Sequence, residues 1–326
     1  MSIDQTTHAS ERTALSANLR LPLIAAPMFL VSGVELTVAA VNAGIVGSFP
    51  TANCRSSEQL DDWMTQIGTR TAAAEQTQGR RTGIICPNLI VHKSNLRVPG
   101  DLAMILKHKP RVVITSVGSP LPVIAQLHDI GCLVFCDVAS IRHAQRAIEA
   151  GVDGLVLLTA GAGGQTGWLN PFAFVRAVRA FYQGPIVMAG GISDGVALRA
   201  ALALGCDLGY MGTRFIAASE SMAAPAYKQM LVQASADDIL LTKAFTGLQT
   251  NMLIPSIHNA GLDPDHLPER GAIDIAKDIS VEAREQEPKR WRDVWSAGHT
   301  VSAVTDIVSA AQVVAQTERE FHAEHA

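Results

Sequence analysis

The chain has 326 residues, 48% of them hydrophobic and 17% charged, with a formal net charge of −4. That supply of apolar side chains supports a full hydrophobic core, and slight acidity without a basic run argues against nucleic acid or an anionic membrane surface as a partner. Five scattered cysteines, Cys54, Cys86, Cys132, Cys136 and Cys206, fit a reduced, cytoplasmic setting better than a disulfide framework. The polar first twenty residues lack the apolar stretch of a secretory signal, and no run of about eighteen apolar residues suggests a membrane span.

Short apolar runs recur along the chain at 23–26, 45–48, 83–86, 112–115, 133–136, 154–158, 186–189 and 208–211. They are continuous rather than alternating, as strands buried on both faces are. Alanine-rich helical stretches separate them, among them 34–43, 140–150, 170–182 and 195–204. Ser140 and the pair Asn170-Pro171 supply helix starts, with proline at the first turn. Length alone would suggest two domains. Eight strand-helix units in a row instead point to an α/β fold, a TIM (β/α)8 barrel. The rhythm stops after Met211. Residues 219–289 are more polar and predict a smaller helical subdomain covering the barrel mouth, with 1–218 and 290–326 forming the barrel. The tail 301–326 predicts a closing helix with Val304, Ile307, Val308, Ala311 and Val314 on one face.

Sites in such barrels form at the C-terminal strand ends. The first apolar run leads to Ala26-Pro27-Met28, the third to Pro87-Asn88, and the fifth to Cys136-Asp137. The sixth leads to the run from Gly161 to Gly167, the seventh to Ala189-Gly190-Gly191 and the eighth to Met211-Gly212-Thr213. Glycine lets bare backbone approach a flat or phosphorylated ligand. The last two turns match the phosphate site expected after strands seven and eight, where N–H groups and the Thr213 hydroxyl would hold the anion. Arg214 could pair with that phosphate or form a structural salt bridge. Cys132 and Cys136 fall on one face of an apolar strand and read as packing residues. Trp168 is a candidate pocket wall; Phe172 and Phe174 fit either that wall or a helix packed on the barrel. Arg142 and His143 fit a solvated helix face. His258 and His266 fall in the segment after the barrel and have no metal-ligand spacing.

Three groups of segments together resemble the nitronate monooxygenase family, formerly the 2-nitropropane dioxygenases. The first is Ala25-Ala26-Pro27-Met28 with the run from Asn42 to Ser48 and the run from Glu149 to Gly154. The second is Gly163-Gly164-Gln165-Thr166-Gly167 with the run from Ala189 to Gly195. The third is Met211-Gly212-Thr213-Arg214-Phe215 with Trp295-Ser296-Ala297-Gly298. The resemblance implies an FMN-dependent TIM-barrel oxidoreductase acting on a small-molecule substrate, a monomer or homodimer. The flavin phosphate would lie on Gly190, Gly191, Gly212 and Thr213. Ala26, Pro27 and Met28 would line the isoalloxazine, Asn88 would sit near its polar edge, and Gly163 and Gly164 would pass close to the ring. Ala189, Met211 and Asp137 complete the expected flavin surroundings. Alkyl nitronates would be oxidised with O2 to a carbonyl compound and nitrite.

The sequence departs from the family's pattern at three places. Where the family has a catalytic histidine after its paired glycines, this chain has Gln165, whose amide exchanges hydrogen bonds but takes up no proton at neutral pH. Asp137 stands where members have a basic or neutral group, and a carboxylate there disfavours an anionic flavin unless it is protonated or turned away. His299 follows Gly298 where glutamine is common; it either compensates for the missing base or is a bystander. An NAD(P)H-dependent flavin reductase acting on a quinone or enoyl thioester is the alternative within the fold. A silent flavin-binding protein and a sugar-phosphate isomerase are more distant readings.

Overall fold

Eight parallel strands close into a barrel in the computed structural model, which describes residues 15–16, 19–79, 82–268, 270 and 293–323. They are β1 (Leu23–Ala25), β2 (Val46–Pro50), β3 (Ile84–Ile90), β4 (Val112–Ser116), β5 (Leu133–Val138), β6 (Gly154–Leu158), β8 (Ile186–Ala189) and β9 (Leu208–Met211). Their order is that of the chain, and β9 pairs with β1, with Ala25 opposite Met211, to complete the circle. The helices between them are α1 (Val34–Asn42), α2 (Ser57–Gln78), α3 (Val98–His108), α4 (Leu121–Asp129), α5 (Ile141–Glu149), α6 (Pro171–Arg179) and α7 (Gly195–Leu204).

Side-chain alternation along the strands sorts the core into two layers. Ile24, Val46, Cys86, Ile114, Phe135, Val156, Val187 and Leu208 fill the barrel interior. Leu23, Val113, Val134, Cys136, Leu155, Ile186 and Met211 face outward and pack in the outer layer with helix residues such as Leu36, Phe174 and Leu198. The strands read as continuous apolar runs because both faces are covered. Helix starts are capped as the sequence predicts. Ser140 accepts from the His143 N–H at 3.1 Å, and Asn170 accepts from the Phe172 and Ala173 N–H groups. Asp194, inside a glycine motif, serves as the cap of α7, accepting from the Ala197 N–H at 2.7 Å.

The segment after β9 differs from the all-helical expectation. It holds the one-turn α8 (Thr213–Ile216), α9 (Pro225–Gln233) and α10 (Ile254–Asn259), but also β10 (Ile239–Thr242) and β11 (Thr250–Leu253). These two pair antiparallel, and β11 takes a third strand from the barrel's own glycine loop, β7 (Gly164–Gln165), with Thr250 opposite Gln165. Isolated hairpins of this length are marginal, so the pairing depends on the barrel loop that extends it. Residues 269 and 271–289 of the expected subdomain lie outside the described residues.

The tail helix is shorter than expected. A 3-10 turn (His299–Ala303) comes first, and α11 (Ala310–His322) starts at Ser309, whose hydroxyl accepts from the Gln312 N–H at 3.2 Å. Its buried face is Ala310, Val313, Val314 and Thr317, whereas Ile307 and Ala311 are exposed. The serine cap, not the apolar pattern, sets the start, so Val304, Ile307 and Val308 precede the helix. Among the described residues no helix is long and apolar enough to cross a membrane.

Candidate active site

A cavity of about 250 Å³ opens at the C-terminal end of the barrel. Every cofactor residue predicted from the sequence lines it except Met211, and so does Gln165. Met211 sits on the wrong side of β9. It is buried in the outer layer, and its carbonyl accepts from the Ala26 N–H at 2.9 Å. Alternation gives the inward position to its neighbour Tyr210, which lines the cavity in its place.

The first wall is the loop after β1. Ser32 donates to the Ala26 carbonyl at 3.1 Å and accepts from the Met28 N–H at 3.0 Å. Asn53 donates to the carbonyls of Met28 and Ser32 and accepts from the Leu30 N–H at 2.8 Å. Ala26-Pro27-Met28 is therefore a fixed surface. Asn88 lines the next part of the wall, its amide donating to Ser116 Oγ and the Ile114 carbonyl, each at 3.2 Å. Beyond it, Val117 holds a left-handed φ of +54° on the cavity wall. That conformation is costly for a β-branched side chain and is retained at functional surfaces.

Opposite lie the glycine turns. Gly190 has φ +103°, and a Cβ there would stand 2.5 Å from Thr159 Oγ1 and 2.6 Å from the Ala162 nitrogen. Only glycine lets these backbones touch. Gly163 and Gly298 cross in the same way: a Cβ on Gly163 would lie 2.6 Å from the Gly298 nitrogen. Among the described residues the N–H groups of Gly190, Gly191, Gly212 and Thr213 meet no carbonyl acceptor. Thr213 Oγ1 accepts from the Gly298 N–H at 2.9 Å, which leaves its own hydrogen to donate. Four bare N–H groups and one hydroxyl on the cavity wall form a cradle for an anion.

Arg214 does not join that cradle. Its guanidinium donates to the Ala303 carbonyl at 2.9 Å and to Gln316 at 3.1 Å, with Asp306 at 3.6 Å. It ties the tail to α8. Lys228 is likewise structural. It is buried and donates to the carbonyls of Ala218, Ser219 and Ser221, and burial lowers its pKa.

Gln165 faces the cavity from β7, and no partner is found for its amide among the described residues. The strand that carries it is fixed by the cover. Asn251 on β11 donates to the carbonyls of Ala160 and Ala162 at 3.0 and 2.7 Å, and the Thr166 N–H donates to the Gln249 carbonyl at 3.0 Å. His299 stands elsewhere. It is exposed, its N–H donates to the Gly161 carbonyl at 3.1 Å, and its ring is 3.5 Å from where a Gly161 Cβ would be. It is absent from the cavity wall, although its neighbours Gly161 and Thr300 line it.

Asp137 occupies the inward face of β5, two residues after the barrel-filling Phe135. It is not turned away. Its Oδ1 has neither solvent contact nor a hydrogen-bond partner, and burial pushes its carboxyl from 3.8 up to about 7. The Tyr210 phenol, within electrostatic reach of Asp137 and Cys86, is pushed well above its ordinary value, first by burial. Tyr227 donates to the Ser296 carbonyl and stacks on Trp295 with ring centroids 4.9 Å apart; burial raises its phenol to about 12. Sequence reasoning missed Tyr210, Ser116, Tyr227 and Trp295 as wall residues. Inward alternation from Leu208 would have found Tyr210.

Several weighed side chains fall elsewhere. Trp168 is 67% exposed and off the cavity wall, Phe172 is also exposed, and Phe174 is buried in the outer layer. Cys132 and Cys136 are free and buried in that layer, and no metal-holding cluster exists among the described residues.

Comparison with known proteins identifies the family. The nitronate monooxygenase family model matches residues 12–319. A nitronate monooxygenase of Paraburkholderia phytofirmans is 29% identical, with 92% of each chain covered. A hydroxy-methyl-oxo-octahydroindene-carboxyl-CoA dehydrogenase of Mycobacterium tuberculosis is 26% identical over 71% of this chain and 62% of that protein. Among solved structures, FabK from Thermotoga maritima superimposes with a TM-score of 0.79 at 24% identity, covering 95% of each chain. A nitroalkane oxidase from Streptomyces ansochromogenes gives 0.75 at 23% identity, covering 94% of this chain and 97% of that one. Likeness at such identity speaks for the fold. The match along nearly the whole chain, on a barrel with this glycine-walled mouth, makes the protein a member of the nitronate monooxygenase family of flavin-dependent oxidoreductases.

Proposed function

We propose that the flavin is FMN and that the enzyme oxidises small alkyl nitronates with O2 to a carbonyl compound and nitrite. The observation that carries the cofactor assignment is the cradle of Gly190, Gly191, Gly212 and Thr213. Its unpaired N–H groups and one free hydroxyl hydrogen match a single terminal phosphate. When bound there, FMN supplies the two-electron redox chemistry, which belongs to the cofactor.

This chain's own residues bind and orient. Ala26, Pro27 and Met28, pinned by Ser32 and Asn53, offer a rigid apolar face on one side of the cavity. Gly163 and Gly164 leave room on the other. The Gln165 amide can donate to a nitro or nitronate oxygen without removing a proton. Tyr227 and Trp295, stacked under the cover, exclude water together with Leu248 and Ile216. A preformed nitronate needs no base, so Gln165 in place of histidine is compatible with it.

The test is steady-state turnover of the purified protein with propionate 3-nitronate, followed as oxygen uptake and nitrite release. The competing arm is NADH with a quinone under argon. Oxidation of the nitronate with flavin that NADH leaves oxidised supports this reading. Fast reduction by NADH and no nitronate turnover would replace it with a flavin reductase.

A further inference from the structure

Gln165 and the displaced His299 leave open what, if anything, handles protons in this cavity. Among the described residues the wall holds no lysine, arginine or histidine, and its titratable side chains are Asp137, Tyr210 and Tyr227. Burial raises both phenols and keeps them un-ionised, and Tyr227 donates its hydrogen bond to the Ser296 carbonyl. From β3 and β4 the neighbours are Cys86, Asn88 and Ser116; from β6 and β8 they are Leu158 and Ala189. None brings a charge. Asn88 and Ser116 satisfy one another rather than the carboxyl. Asp137 therefore stands unpartnered on a wall otherwise without an acid or base, its Oδ1 shielded from bulk water.

We infer that Asp137 is the acid–base residue of this site and that the enzyme also accepts neutral carbon acids, nitroalkanes above all, by passing their α-proton to this carboxylate. The step balances within the cavity. The substrate Cα–H bond breaks, its electron pair stays on carbon and is delocalised into the nitro group, and the proton goes to an Asp137 oxygen. That proton leaves to solvent before the next cycle, and no further co-reactant is needed for the transfer. A base with a pKa of about 7 is matched to this task at neutral pH.

The same carboxyl affects the two substrate classes in opposite directions. A neutral nitroalkane requires the ionised form, so its turnover rises with pH through about 7. A preformed nitronate is an anion and is repelled by that charge, so its KM rises over the same interval. The inference rests on the proposed function, and the experiment separates the two. The flavin-loaded enzyme and its D137N variant are compared with nitroethane and with ethyl nitronate between pH 5.5 and 8.5 as the working range for a group of this pKa. In parallel, proton NMR in oxygen-free D2O follows loss of α-protons from unreacted nitroethane, a readout that needs no turnover. The expected result is crossing pH profiles in the native enzyme. In D137N, enzyme-dependent exchange should fall about 100-fold or more, and the pH dependence of the nitronate KM across this interval should disappear.

Exchange in D137N as fast as in the native enzyme overturns the assignment of Asp137, and nitronate oxidation by the native enzyme leaves the functional reading standing. Exchange that depends on Asp137 without any nitronate oxidation does the reverse. If D137N does not fold, the native enzyme still decides: exchange that fails to rise through pH 7 rules Asp137 out.

Discussion

Replacing Asp137 by asparagine should change the pH dependence of folding by an amount the structure sets. The protonated carboxyl is the form the barrel interior tolerates, since its Oδ1 has no partner there. Its pKa is raised from 3.8 to about 7 on folding. The stability this group allows is therefore complete below about pH 4, declines as pH rises through the interval, and reaches its lowest value above about 7. At about 1.4 kcal/mol per pH unit, the full interval corresponds to about 4 kcal/mol as an upper limit, reduced where water enters the cavity. With an unfolding entropy of about 2 cal/mol/K per residue, this is roughly 6 °C in Tm for a chain of 326 residues. The assay is differential scanning calorimetry of flavin-free native protein and D137N at half-unit steps from pH 4 to 8. Subtracting the two curves removes every other titrating group. The gap in favour of D137N should open with rising pH. Curves that stay parallel within about 1.5 °C, roughly 1 kcal/mol on the same scale, would refute the claim that the Asp137 carboxyl lacks a compensating partner.

Three further outcomes follow from the site. Gly190→Ala should lower stability by at least about 1–2 kcal/mol from its backbone conformation alone, with the contact to Thr159 adding to it. Calorimetry and the flavin content of the purified variant both report it. On the proposed cofactor assignment, Thr213→Val removes one hydrogen bond to the phosphate, about 1.5–3 kcal/mol, so the Kd for FMN should rise about 10- to 100-fold by fluorescence quenching. All five cysteines are free and buried; burial raises the thiols of Cys54, Cys132, Cys136 and Cys206 to about 12, and that of Cys86 further. A thiol reagent at pH 8 should label the folded protein slowly and the unfolded chain at all five positions.

The barrel was legible because parallel strands covered on both faces leave an unmistakable apolar run, and all eight runs fall on observed strands. The glycine turns were legible because few other residues allow such backbone contacts. What escaped depended on partners distant in the chain. β7 is two residues long and exists only against β11, so neither strand carries a periodic signal of its own. Met211 and Tyr210 differ by one position, and a one-residue change of register moves a side chain to the opposite face. His299 is adjacent to the right backbone, at Gly161, yet its exposed side chain is not on the cavity wall. Asp137 was visible as a departure from the family's pattern. Its raised pKa comes from burial with no facing charge to offset it, which only the assembled wall reveals.

The ladder joining Gly164–Gln165 to Thr250–Leu253 makes the cover and the amide one mechanical part. A hinge that lifted the hairpin would either drag Gln165 with it or break main-chain bonds. Widening the mouth for a bulkier guest thus retunes the polar contact at the same time. Substrate size and amide placement are inherited together, and a graft that exchanges the hairpin alone would transplant both.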